Sequence, residues 1–180
     1  MIQATLLILN AVGGFFVTLC LLRFLMQAAH VPFNTSLGQF VLQLTHGLIG
    51  PLRRVTPSWR GYDLSCLVAA YLLEVLVLGL TILITGNSML EVLPATDLVL
   101  LVLWHGVTGL VRRMVYIAIG AVIAQAILSW VSPFSPVMGM LERFTTPLLG
   151  PLRRHLPPIA GIDLSPLVFL LLAQVLLIFL

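Results

Sequence analysis

Lysine is absent: all nine basic residues are arginine, and with six acids they bring the charged fraction to only 8%. Set against 60% hydrophobic residues and a mean hydropathy of +1.14, that scarcity excludes a soluble globular domain and predicts an integral membrane protein. The net charge of +3 is too small and too scattered to form a nucleic-acid-binding face, so no direct nucleic-acid partner is expected. Cys20 and Cys66, the two cysteines, fall in apolar runs without CxxC or Cys/His spacing, which argues against a disulfide or zinc site and for core thiols. The first residues, Met1-Ile2-Gln3-Ala4, lack the positive n-region and cleavage site of a secretory signal, so the apolar run that follows is expected to stay as a helix. There is no Gly-rich phosphate loop, no HExxH and no Ser/His/Asp set in a recognisable context, and hence no expected catalytic, cofactor or metal residue.

What the chain does have is a repeated string. Gly50-Pro51-Leu52-Arg53-Arg54, followed by Pro57, Gly61 and Asp63-Leu64-Ser65, returns as Gly150-Pro151-Leu152-Arg153-Arg154, followed by Pro157, Gly161 and Asp163-Leu164-Ser165. Between 50–68 and 150–168, 12 of 19 positions are identical at a constant offset, which identifies a tandem duplication. The histidines do not share in it: His46 aligns with Thr146 and His155 with Val55, so a bis-histidine haem finds no paired ligands.

Residues 4–28 form a first expected span, long enough to cross about 30 Å of hydrocarbon with some tilt. After Pro32, the residues Leu37, Val41, Leu44 and Leu48 recur at the spacing of one helical face, and Val137, Leu141, Phe144 and Leu148 repeat that stripe after Pro133. Each stripe predicts an amphipathic helix lying on the membrane surface. The one-residue difference in length between the copies falls between Pro32 and Leu37. Gly50-Pro51 and Gly150-Pro151 are expected to break these helices and turn the chain. Asp63 and Asp163 stand before the next apolar runs, 64–84 and 164–180, as expected N-caps. Residues 87–97, with Pro94 and two acids but no base, form the linker. The following run is too long for one ordinary span, and Arg112-Arg113 interrupts it, which predicts an interfacial or kinked lead-in at 98–111 and a span at 114–131.

The expected fold is therefore all-α: two tandem parallel repeats, 1–86 and 98–180, each helix, interfacial amphipathic helix, helix, with about four transmembrane helices. Arg53, Arg54 and Arg60 lie in one inter-span loop and Arg143, Arg153 and Arg154 in the other, while the linker has no base. The positive-inside rule then puts both loops in the cytoplasm and both termini on the periplasmic side.

The duplicated G-P-L-R-R, then P, then G-x-D-L-S, each copy between apolar spans, together with Leu44-Thr45, Phe144-Thr145 and Ser129-Trp130-Val131-Ser132, resembles the bacterial YggT family of inner-membrane proteins, also called YlmG. That resemblance implies a bacterial inner-membrane location and an association with tolerance of osmotic or extracytoplasmic stress and with ion uptake. Its Gram-positive and chloroplast relatives imply links to division, nucleoid organisation and assembly of a membrane cytochrome. It implies no catalytic residue.

Two candidate sites follow from the residues. Arg53, Arg54, Arg153 and Arg154 suit anionic lipid headgroups or a protein partner, or ion pairs with Asp63 and Asp163; topology signals snorkelling at the interface are the plainer reading. Glu74 falls near the middle of its span, where an ionisable group is costly, and its repeat counterpart is Gln174; the two could face one another across the pseudo-twofold axis, as a packing contact or as part of an ion path. Mainly from the resemblance, the functional expectation is a non-enzymatic inner-membrane scaffold or assembly/regulatory factor that acts through its cytoplasmic Arg turns and supports envelope homeostasis under osmotic stress. Its partners would be lipids and other membrane proteins or further copies of the chain. The alternative is a channel or carrier component for small cations, such as potassium, built on Glu74 and Gln174.

Overall fold

A computed structural model of the chain describes residues 1–53, 56, 63–85, 94–156 and 163–180, and all the regular structure among them is helical. Six helices follow in order: α1 (Ile2–Ala28), α2 (Ser36–Leu52), α3 (Leu64–Thr85), α4 (Ala95–Val131), α5 (Pro136–His155) and α6 (Ser165–Phe179). Helices α1, α3 and α4 are long and apolar enough to cross a membrane, while α6 is a shorter apolar helix of 15 residues, about 22 Å long. The protein is thus a multi-pass, all-α membrane protein made of two repeats, α1–α3 and α4–α6.

The helices of each repeat pack on one another, and the repeats meet where α4 lies against α3 and α1. The tightest pair is α1 and α3. Val17, Cys20 and Leu21 of α1 meet Cys66, Ala69 and Ala70 of α3, closed by Ile49 of α2 and Leu110 of α4. Both cysteines are free and fully buried there. Small residues on α3 let the helix backbones approach, which is how helices associate when lipid is as apolar as the interface.

The two connections into the amphipathic helices are built alike. Thr35 caps α2 by accepting from the Gly38 amide, and Ser135 caps α5 by accepting from the Met138 amide, each at 3.2 Å. Ahead of Thr35, α1 ends in a left-handed residue, His30 at φ 53°. The amides of Val31 and His30 turn back to the carbonyls of Met26 and Gln27, and Val31 packs on Met26, which is the Schellman arrangement of a helix end.

Three sequence expectations are corrected. The lead-in at 98–111 and the span at 114–131 are one continuous helix of 37 residues, about 55 Å long. Arg113 does not end the apolar run because Glu74 of α3 neutralises it. The Gly-Pro pairs do not break the amphipathic helices: α2 runs through Pro51 to Leu52, and α5 through Pro147 and Pro151 to His155. A proline clashes with the Cβ of the residue before it, and Gly50 and Gly150 have none. The buried stripe of α2 is Gly38, Val41, Thr45 and Ile49, and that of α5 includes Phe144, Thr145 and Leu149, largely one position round from the leucine stripes. Large apolar residues cost nothing against lipid, so small and hydrogen-bonding residues mark the packed face instead. Arg23 reaches Thr45 across 22 residues while Gln125 reaches Thr145 across 20, which adds a second one-residue difference, between Arg23 and Pro32, to the one between Pro32 and Leu37.

Candidate functional site

Among the described residues, six charged side chains gather into three ion pairs. In the first turn, Arg53, just past the end of α2, grips Asp63 at the foot of α3, with Nε donating to Oδ2 at 2.7 Å. The Asp63 amide in turn donates to Gln27 Oε1 of α1 at 3.1 Å, and Thr56 and Ser65 share a hydroxyl hydrogen bond, so three helices are tied at one point. In the second turn, Arg153 of α5 donates through Nε to Asp163 Oδ2 at 2.8 Å, and the other Asp163 oxygen accepts from the Ser165 amide at the start of α6 at 2.9 Å. The turns are therefore closed by the same arginine and aspartate of the duplicated string. Arg154 carries no hydrogen bond or ion pair among the described residues and is exposed; Arg54 lies outside the described residues, as do Pro57, Gly61, Pro157, Gly161 and residues 86–93 of the linker region.

Burial opposes charge on Asp63, but hydrogen bonds from Arg53 and Ser65 and the charges of Arg53 and Arg23 outweigh it, holding the carboxyl below its ordinary 3.8. Burial likewise opposes charge on Asp163, and the Ser165 amide and hydroxyl together with Arg153 outweigh it and lower the carboxyl from 3.8. A depressed carboxylate stabilises the fold fully above its unfolded pKa, and that contribution is lost as pH falls through the folded value. The unfolding temperature of the purified chain is thus expected to hold steady from about pH 7 to 5 and to drop below about pH 4, and the Asp63→Asn/Asp163→Asn double variant to lose most of that drop. An identical drop in the double variant would place the acid sensitivity elsewhere.

The third pair joins the repeats. Arg113 of α4 donates through Nε to Glu74 Oε2 of α3 at 2.9 Å, with the side chains 29% and 14% exposed. Glycines on both flanking helices make the room. A Cβ on Gly109 would stand 2.7 Å from Glu74 Oε1, and one on Gly14 of α1 would stand 2.9 Å from Arg113 Nη1. Glu74 and Gln174 do not face one another: Glu74 is held by Arg113, Gln174 is exposed on α6, and α3 and α6 are not among the principal packed pairs. The repeat symmetry that suggested the pair is broken because α4, the first helix of the second repeat, packs against α3 and brings its own arginine to the acid.

Sequence reasoning missed Arg113 as the partner of Glu74, and it missed Arg23. Arg23 is only 6% exposed, near the end of α1, with Nη1 donating to Thr45 Oγ1 of α2 at 2.8 Å. Its counterpart Gln125 accepts from Thr145, so each repeat fastens its long helix to its amphipathic helix through the same threonine. The available signal was an arginine inside an apolar run followed by the Leu44-Thr45 and Phe144-Thr145 pairs. Elsewhere the surface between α1, α4, α5 and α6 opens into a cavity of about 640 Å³ lined by apolar side chains such as Leu25, Met114, Phe144, Phe169 and Leu176. Among the described residues no three of His, Cys, Asp and Glu lie close enough together to hold a metal ion.

The sequence pattern of the CCB3/YggT family matches residues 2–84 and 104–180, two segments whose starting points stand in the same register as Arg23 and Gln125. The YggT protein of Escherichia coli K12, itself described as uncharacterized, is 34% identical over 170 residues, covering 93% of this chain and 84% of its own length. An uncharacterized protein of Vibrio alginolyticus is 34% identical over 162 residues, 89% of this chain and 84% of the relative. One of Pseudomonas aeruginosa is 33% identical over 168 residues, 91% of this chain and 81% of the relative. No solved structure matches the chain. With both segments matched and relatives spanning most of its length, the chain belongs to the CCB3/YggT family and carries two copies of the family's repeat.

Proposed function

We propose that this protein is a non-enzymatic scaffold or assembly factor of the bacterial inner membrane, supporting envelope homeostasis under osmotic stress. The observation that carries the reading is the Glu74–Arg113 pair. The one acid in the middle of a span among the described residues is spent on holding the two repeats together, not left free to move an ion or a proton. The turn arginines Arg53 and Arg153 are committed in the same way to Asp63 and Asp163. What stays available is apolar surface on α4 and α6, including Trp104, Tyr116, Leu171 and Phe179, and the exposed Arg154 at the end of the second turn. Such a surface suits lateral contact with other membrane proteins or a second copy, with anionic headgroups at the arginines. In this reading both turns lie in the cytoplasm, where the three bases of each inter-span loop belong, and the termini lie on the periplasmic side.

The cation-channel reading requires Glu74 to face a wet path. Flux of potassium through the purified protein in liposomes separates the two. The scaffold reading expects flux equal to empty liposomes and a stable membrane-protein partner, or the chain itself, retained after cross-linking in the native membrane. Potassium flux that Glu74→Gln abolishes would replace it with the channel.

A further inference from the structure

The first repeat holds a pocket with three basic side chains on its walls. It has a volume of about 560 Å³ and is lined by Arg23, His46 and Arg53, with Gly47 and Gly50 among its walls. Arg23 is the unusual member. Its side chain is almost wholly buried, yet among the described residues its guanidinium makes one hydrogen bond, to Thr45, and no carboxylate lies within ion-pair distance. A guanidinium carries five N–H donors and no acceptor, and a buried charge without a counter-ion is costly. Asp63 acts on Arg23 only at longer range and is itself bonded to Arg53. Among the described residues, nothing outside α2's own backbone lies within 4 Å of where a side chain would begin at Gly47 or Gly50.

We infer that this pocket binds a phosphate group, with Arg23 as its buried anchor and Arg53 and His46 at its mouth. The Arg23 guanidinium, the outer nitrogen Nη1 that Arg53 keeps beyond its bonds to Asp63, and the His46 imidazole offer donors at several angles to a tetrahedral oxyanion, and three basic side chains disfavour a cation. The duplication supplies the comparison. In the second repeat Gln125 stands in the place of Arg23 and Thr146 in that of His46, while the threonine contact to the long helix is kept. The second repeat keeps Arg153 but has neither of the other two bases and folds the same way, so the presence of Arg23 and His46 in the first copy calls for a ligand. The group could be the phosphate of an anionic lipid headgroup or a free phosphate. The inference builds on the first turn as a lipid-facing surface, but its test includes a soluble probe, so it and the scaffold reading can fail separately.

The test uses the full chain in a neutral detergent, with phosphatidylglycerol retention over phosphatidylcholine read by native mass spectrometry and inorganic phosphate binding read by phosphorus NMR. Arg23→Gln installs the residue the second repeat already uses, so the threonine contact and the unfolding temperature should be kept while binding falls about tenfold. His46→Thr, at the exposed mouth, should weaken binding by a smaller factor and serves if Arg23→Gln unfolds. Phosphatidylglycerol preference lost in these variants assigns the site to a headgroup; phosphate binding lost in them without lipid preference assigns it to the free anion. Binding of neither probe to the parent chain, equal binding by parent and variants, or an equal loss in Arg153→Ala would overturn the inference.

Discussion

Replacing Glu74 with leucine is expected to lower the stability of the folded chain by about 3 kcal/mol, because it leaves Arg113 charged and without its partner between α3, α4 and α1. The site is well enclosed: Glu74 is 14% and Arg113 29% exposed, and Gly14 and Gly109 hold backbone against the pair on either side. Arginine does not escape by deprotonation, so the unpaired cation must stay buried or drag α4 away from α3. The double variant Glu74→Leu/Arg113→Leu removes both charges and is expected to regain most of the loss, since a buried ion pair is worth little more than a well-packed apolar pair. Glu74→Gln should fall between, keeping an acceptor for Nε while losing the charge. Thermal unfolding in lipid nanodiscs gives the three values. A single variant as stable as the parent, or a double variant as unstable as the single, would show that the pair does not join the repeats.

The second large effect is expected at Gly38. A Cβ there would stand 2.8 Å from the Cα, 2.9 Å from the carbonyl oxygen and 3.0 Å from the carbonyl carbon of Phe33. These are backbone atoms with no rotamer to change, so Gly38→Ala must displace the loop that carries the Thr35 cap, whose hydroxyl accepts from the Gly38 amide. The displacement pulls at α2 and so at the buried Thr45–Arg23 contact. A cost of about 2 kcal/mol is expected, against a gain of about 0.5–1 kcal/mol for Gly79→Ala or Gly120→Ala, where among the described residues nothing beyond the helix's own backbone lies within 4 Å and alanine is the better helix former. Parallel unfolding curves for the three variants check this. Equal behaviour at all three positions would mean that the loop yields freely.

The relation between sequence and structure differs from element to element. Composition alone was enough for the membrane, since with so few charges no other solvent would hold the chain, and the duplicated string was enough for two repeats. The turn itself was readable because arginine and aspartate recur at a fixed spacing of 10 residues, and local spacing survives folding. The amphipathic helices were readable as helices but not in their facing: Leu37, Leu44 and Leu48 form the visible stripe, yet Thr45 and Ile49 are the residues held inside. In water that stripe would mark the core. Against lipid it does not.

Glu74 shows the limit most directly. That an acid in mid-span needs a partner follows from the cost of a charge in hydrocarbon, and the sequence by itself determines that much. Which partner it takes depends on helix neighbours, and Arg113 lies 39 residues away in a different repeat. Only the packing of α4 against α3 decides for Arg113 over Gln174, and the same packing makes one helix of a run that its two arginines divide on paper. Arg23 is the parallel case. Its position within a span announces an unusual charge, but burial, a single threonine partner and an open pocket beside it are properties of three helices meeting, which no single stretch of chain contains.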